Sequence, residues 1–329
     1  MSFLALLVAV VLEALLPDGF FERLRELVDR FSRECEVDLA SLGLNQREHQ
    51  QWLIPVLMWM IVVYLVHGVL MSTTPLLAAI FTLVLLLYGL RFKHFAEVFT
   101  STQLFLNQGD YFRARELYIH WVKSYDGTEP HVHGPDELVS ALIHHGVERA
   151  LRQYFAVIFW YLIIPGPLGL VAYLAVQWSV IRERQRVSEH GLHLELTSLP
   201  ELWRTNPTSA RWSPRQVQYW MEWLPARLVA LTIALVSQFD EVLLAWRNAM
   251  LHGRYSNRAP LTAAFLASIG YVGAGAVRHA SDGLDEQSAN EGQVMALQSF
   301  RQLVLKCAAA WLMLVFAMAL LGWIPNPLN

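Results

Sequence analysis

Apolar residues in this chain gather in long runs, and the first two runs sit almost back to back. One extends from Trp52 to Met71 and the other from Pro75 to Phe92, with only Ser72, Thr73 and Thr74 between them. Each is about the length a helix needs to cross a hydrocarbon layer of roughly 30 Å. The short polar gap suits a tight turn at a membrane surface, so the pair predicts a helical hairpin in lipid. A third run, Tyr154 to Trp178, is broken in its middle by Pro165-Gly166-Pro167. Two prolines remove two backbone donors, and non-helical backbone at membrane depth must be covered by protein or face water. This segment predicts either a kinked span or a re-entrant hairpin, in both cases inside the bundle. Glu222 to Phe239 is apolar again but carries Pro225 and Arg227. Pro260 to Val277 is small and apolar, with Gly270, Gly273 and Gly275, which favours close helix contact. Cys307 to Ile324 forms a last span. The fold class that follows is all-α: a polytopic α-helical membrane protein with about four to six membrane-embedded segments, one broken at Pro-Gly-Pro.

The polar stretches are helical in pattern as well. Phe3 to Leu16 is apolar but short for a span, and Glu13 interrupts it, so it predicts a tilted first helix or an interfacial one. No Lys or Arg precedes it and no small-x-small site follows, which argues against a removable signal peptide. In residues 18–51, Phe20, Phe21, Leu24, Leu27, Val28 and Phe31 recur at helical spacing, as in an amphipathic helix lying on the membrane or a neighbour. Residues 93–153 form a helical insertion. Within it Asp110 to Tyr125 carries the stripe Phe112, Ala114, Leu117, Trp121, Asp126-Gly127 marks a turn, and Pro135-Asp136-Glu137 opens a helix with acidic residues in its first turn. Residues 179–219 are a polar loop region holding Arg182, Arg184, Arg186, Arg211 and Arg215. Residues 1–329 are read as a single membrane domain. The turn at 72–74 has no Lys or Arg and the segments flanking the hairpin have many, which places 18–51 and 93–153 in the cytoplasm.

Composition agrees: 55% of residues are hydrophobic and 16% charged, against about 25% charged in soluble domains. The net charge of −3 gives no bulk attraction to nucleic acid. Cys35 and Cys307 are too few for a disulfide framework or a zinc motif. His120, His131, His133, His144 and His145 cluster, and His144 and Glu148 lie four apart on one helix face. Arg149 and Arg152 stand beside them, which disfavours a cation, so the histidines read as surface and packing residues and no metal or cofactor is expected.

Ionisable groups inside apolar runs carry the functional expectation, because lipid is their worst environment. Arg227 is a candidate for an anion in a polar pocket or for a pair with Glu222, and otherwise snorkels to the headgroups. Glu13 reads as a helix-pairing or interfacial group, and His67 as a neutral histidine in a helix–helix hydrogen bond. Asp110 can cap the helix that follows it, and Arg113 and Arg115 are secondary anion candidates on that helix. No phosphate loop, nucleophile elbow or HExxH motif is found.

The central block carries a resemblance. Glu148-Arg149-Ala150-Leu151-Arg152-Gln153-Tyr154-Phe155-Ala156-Val157-Ile158-Phe159-Trp160, then Pro165-Gly166-Pro167 and Ala172-Tyr173, and Trp223-Leu224-Pro225-Ala226-Arg227-Leu228, resemble the core of the CobD/CbiB membrane superfamily. Its synthase branch is linked to adenosylcobinamide-phosphate formation in cobalamin biosynthesis. Its AmpE branch is an inner-membrane component associated with control of β-lactamase induction. The synthase core follows the shared Glu with Asn and then, three residues on, Asp; here those positions are Arg149 and Arg152. After the shared Tyr it reads Arg-Ala-Val-Asn-Thr-Leu-Asp, whereas Tyr173 is followed by Leu174, Ala175, Val176, Gln177, Trp178, Ser179 and Val180. Replacing acid and amide positions by arginine inverts the local charge, so a metal–phosphate site would not survive unchanged. The resemblance therefore implies an AmpE-like, non-catalytic signalling or accessory protein of the bacterial inner membrane, with a cobinamide-phosphate synthase-type enzyme as the alternative. Glu148, Arg149, Arg152, Tyr173 and Arg227 are the expected ligand-binding candidates. The expected partners are the lipid bilayer, an anionic small-molecule ligand and other membrane or envelope proteins, and not nucleic acid. No catalytic residue is assigned.

Overall fold

A computed structural model describes residues 2–16, 23, 26, 28, 30, 34, 52–126, 130–164, 166–189, 213–252, 256–270 and 286–321. Pro165, most of the 18–51 segment and residues 190–212 and 271–285 lie outside the described residues. The regular elements are helices throughout: α1 (Ser2–Leu15), α2 (Leu53–Thr73), α3 (Pro75–Gly89), α4 (Phe92–Asn107), α5 (Tyr111–Asp126), α6 (Pro135–Ala150), a π-helical turn (Leu151–Phe155), α7 (Ala156–Ile163), α8 (Leu168–Glu189), α9 (Pro214–Val236), α10 (Phe239–His252), α11 (Arg258–Ile269) and α12 (Glu286–Leu320). The chain divides into two compact units, one of Met1–Gly89, Asp126–Thr128 and Trp160–Met221, the other of Leu90–Tyr125, Glu129–Phe159 and Glu222–Asn329.

In the first unit α2 and α3 form the expected hairpin. Thr74 is extended (φ −150°), donates its N–H to the Leu70 carbonyl, and hands over to Pro75, which opens α3 where a missing N–H costs nothing. The Ser72 and Thr73 hydroxyls donate back to the Val69 carbonyl at 2.9 and 3.0 Å, so the turn satisfies its own polar groups. Ile61, Leu65 and Val69, four residues apart, are exposed on α2, a stripe suited to lipid. The opposite side packs inward: α1 lies on α3, and α8 lies on both α2 and α3. Val56 clusters with Ala175 and Val176 of α8, with Trp52, Trp59 and Met60 around them. Gly166 adopts φ +79°, a conformation open to glycine. A Cβ on Gly169 would lie 2.3 Å from the Trp160 carbonyl oxygen, so the chain turns between α7 and α8 with backbone against backbone.

In the second unit α12 is the long central element, 35 residues packed against α4, α6 and α11, while α10 lies along α11 and α11 along α6. Aromatic rings fill the space between them: Phe95 and Phe99 are 4.6 Å apart at their centroids, and Phe300 is 5.2 Å from both Phe99 and Phe265. Gly146 lets α6 approach, since a Cβ there would fall 2.6 Å from the Phe99 ring. α11 covers the described part of the apolar run Pro260–Val277, whose residues 271–277 lie outside the described ones. It ends at Ile269 because Gly270 takes a left-handed conformation (φ 64°), and its 12 residues are too few to cross a bilayer.

Four helical stretches among the described residues have the length and apolarity to span: Leu53–Thr73, Pro75–Asn107, Pro214–Val236 and Gly292–Leu320. The protein is an all-α, multi-pass membrane protein, with the apolar helix of its third run interrupted between Ile163 and Leu168.

Candidate functional site

Charge inside the second unit is organised as a ladder. α6 opens with Pro135 behind an extended Gly134, and Glu137 turns back to accept the His133 N–H at 2.8 Å. At its other end α6 passes into the π-helical turn, which inserts an extra residue into the helical register and is found disproportionately at functional positions. Glu148 lies just before that turn and Arg152 within it. Arg152 donates through Nε to Glu222 Oε1 of α9 at 2.7 Å and through Nη1 to Glu148 Oε1. Glu148 Oε2 in turn meets Arg258 Nη1, at the first residue of α11, at 2.8 Å. The order Glu222, Arg152, Glu148, Arg258 alternates in sign and sums to zero. The Glu222, Glu148 and Arg152 side chains are at most 14% exposed, and Arg258 is 40% exposed. Buried charge persists only where partners are this close.

The other expected residues are placed elsewhere in the packing. Arg149 is buried, with its guanidinium 4.3 Å over the Trp121 ring and Nη2 donating to the Trp121 carbonyl at 2.7 Å. Arg227 folds onto its own helix: it lies 3.7 Å over the Trp223 ring and donates to the Trp223 carbonyl at 2.9 Å. Tyr173 is fully buried on α8 and belongs to the first unit. Asp110 accepts the Arg113 N–H at 3.1 Å as a helix cap, and Arg113 also pairs with it at the exposed surface. Arg115 ties the loop before α6 by donating to the Val132 carbonyl at 3.1 Å.

Sequence reasoning did not single out Arg258, although it is a cation standing at the mouth of an apolar run. It also missed Trp121 as the lid on Arg149, since cation–aromatic pairs of this kind have no fixed spacing. Pro225 sits inside α9 without ending it. A proline there leaves the carbonyl four residues back without its helical donor, and the Trp160 indole donates to that Met221 carbonyl at 3.2 Å.

His144 stands one turn before Glu148, and its pKa is lowered, first by burial and then by the Arg258 and His145 charges. A histidine held below its ordinary value stabilises the fold above that value and loses the contribution as pH falls and the ring is forced to take a proton. Stability of the detergent-solubilised protein should therefore drop between about pH 7 and pH 5. His144→Gln should flatten that slope, read as melting temperature against pH.

What the helices and the ladder define is a multi-pass membrane protein with an ionic cluster sheltered in a helical unit. Among curated proteins the chain is similar to the cobalamin biosynthesis protein CobD of Chromobacterium violaceum, 26% identical over 215 residues. The match covers 64% of this chain and 60% of the CobD protein, so the chain spans less than two thirds of that relative's length. No family profile matches the chain, and no solved structure matches it. The likeness supports a relationship to the CobD/CbiB group, and the AmpE branch has no such support.

Proposed function

We propose that this is a divergent CobD-like protein of a bacterial inner membrane, acting in cobalamin biosynthesis at the step that joins a corrinoid carboxylate to an aminopropanol phosphate. The observation that carries this is the likeness to a cobalamin biosynthesis protein over 215 residues, which favours the enzyme reading over the signalling one. The ladder suits the chemistry in outline. Amide formation on a phosphorylated substrate needs fixed positive charge near developing negative charge, and Arg258 is the most exposed member of a cluster whose other charges are held by one another. In this reading Arg258 meets the phosphate, and Glu148 and Arg152 hold it in place. The test is complementation. The full chain, confirmed in the membrane fraction, is expected to restore growth of a synthase-deficient strain in cobalamin-limited medium, and Arg258→Ala is expected to abolish it. No growth with wild-type chain present in the membrane overturns the reading.

A second reading, an AmpE-like accessory protein, is favoured by two observations: the ladder is already neutral, and Arg149 is closed off under Trp121. It requires that the inserted chain fail to restore growth and that its deletion change β-lactamase induction by a cell-wall antibiotic.

A further inference from the structure

His144 stands at the more exposed end of the ladder. It shares a face of α6 with Glu148, four residues on, and lies near enough to Arg258 of α11 for the guanidinium charge to act on its ring. Glu148 Oε2 meets Arg258 Nη1 at 2.8 Å, so an imidazole, a carboxylate and a guanidinium gather where α11 lies along α6. Neither ring nitrogen of His144 has a hydrogen-bond partner among the described residues, and neither is sealed in the packing. His145 beside it is committed: its Nδ1 meets the Ala141 carbonyl at 3.0 Å and the Tyr118 hydroxyl at 3.0 Å. Thr262 lies one turn into α11 on the face that carries Arg258. It is 2% exposed, and its hydroxyl also lacks a partner among the described residues. The interval between α6 and α11 thus keeps two polar groups unpaired, which points to a polar occupant.

Charge decides what fits there. Arg258 is 40% exposed and commits Nη1 to Glu148, so the rest of its fork can take a phosphate. A free cation is repelled by Arg258 and Arg152. A cation carried a few bonds from a phosphate is different, because the phosphate meets Arg258 first and offsets the repulsion. The ammonium then falls toward α6, where Glu148 supplies negative charge and a neutral imidazole supplies a lone pair. Burial first, then Arg258 of α11 and His145 of α6, hold the His144 ring neutral, and Glu148 stands one turn on.

We infer that His144 reads the amine of the phosphorylated amino alcohol, accepting a hydrogen bond from its ammonium while Arg258 holds the phosphate. This rests on the proposed reaction, in which an aminopropanol phosphate is a substrate and Arg258 its phosphate contact. It adds a specificity determinant. A phosphate ester without an amine can seat on Arg258, but it leaves His144 unpaired and brings no nucleophile to the carboxylate.

The test is isothermal titration of the full-length protein in nanodiscs free of phosphatidylethanolamine. The ligands are aminopropanol phosphate and isopropyl phosphate, the same ester without the amine. At about pH 7.5 the wild type is expected to bind the amine ester about tenfold more tightly, the effect of one hydrogen bond to a charged group. His144→Leu should erase that preference and leave the affinity for isopropyl phosphate unchanged, whereas Arg258→Ala should weaken both esters together. His144→Gln keeps an acceptor and should retain part of the preference. In the wild type the ratio of affinities should shrink as the pH falls to about 5, because an imidazolium repels the ammonium. The phosphate titrates in both esters and cancels from the ratio, and in His144→Gln the ratio should stay level. A preference that persists in folded His144→Leu overturns the role of His144. So does a wild-type ratio unchanged at low pH, which needs no variant to fold. Tighter binding of glycerophosphoethanolamine, the soluble form of a lipid headgroup, than of aminopropanol phosphate overturns the free monoester as the occupant. Equal binding of the two esters by the wild type overturns the role of His144 alone, whereas binding of neither overturns the phosphate contact at Arg258 and this inference with it.

Discussion

Glu222→Ala is expected to destabilise the second unit by about 3–5 kcal/mol, the usual consequence of removing one partner from a buried ion pair. Glu222 is 5% exposed, and its carboxylate faces Arg152 at 2.7 Å. Without it the ladder carries two cations on one carboxylate, and Arg152 retains Glu148 alone among its ladder partners. Thermal melting in mild detergent, followed by tryptophan fluorescence, should show the loss as a large fall in Tm and in the yield of folded protein. The paired change Arg152→Met with Glu222→Leu should recover much of it, since apolar groups of similar volume commonly replace buried ion pairs without loss. An unchanged Tm for Glu222→Ala would mean that water reaches the ladder and screens it.

Trp121→Ala should be comparably severe, about 3–5 kcal/mol, as for other aromatic truncations in packed interiors. The Trp121 ring is 1% exposed, stands edge-on to Phe99 at 6.0 Å, and carries the Arg149 guanidinium on its face. Truncation opens a cavity and strips a buried cation of its aromatic cover at the same time. Trp121→Phe keeps a ring under Arg149 and should retain about half of the stability lost by the alanine variant. Hydrogen exchange over α5 and α6 separates the two variants from wild type. Protection that is lost in Trp121→Ala and equally lost in Trp121→Phe would remove the cation–aromatic contact from the account.

Local chemistry was readable from the sequence where cause and effect lie within a few residues. The polar triplet Ser72-Thr73-Thr74 ahead of Pro75 marked the hairpin, Asp110 marked a cap, Pro135 marked a helix start, and Pro165-Gly166-Pro167 marked the interruption between α7 and α8. Long-range pairing was not readable in this way. Arg258 meets Glu148 across 110 positions of chain, and Glu222, weighed as a partner for Arg227, bonds to Arg152, 70 positions away. The π-helical turn that aims Arg152 at α9 has no compositional signature. Pro225 sits inside α9 without ending it, and the indole that takes over the freed Met221 carbonyl comes from Trp160, 61 positions earlier, a partner that no local pattern announces.

α12 also fixes how far from the oil the ladder stands. Gln293 bonds to Asp136 and Phe300 lies against the Gly146 backbone, so α6 climbs beside α12 in the same direction and Glu148 comes level with the residues just after Phe300. From there to Leu320 is about 30 Å of helix, the full hydrocarbon thickness. If that last stretch fills the bilayer, the ladder rests at the waterline, where a solute arriving from the aqueous side reaches the Arg258 rung without first having to dissolve in lipid.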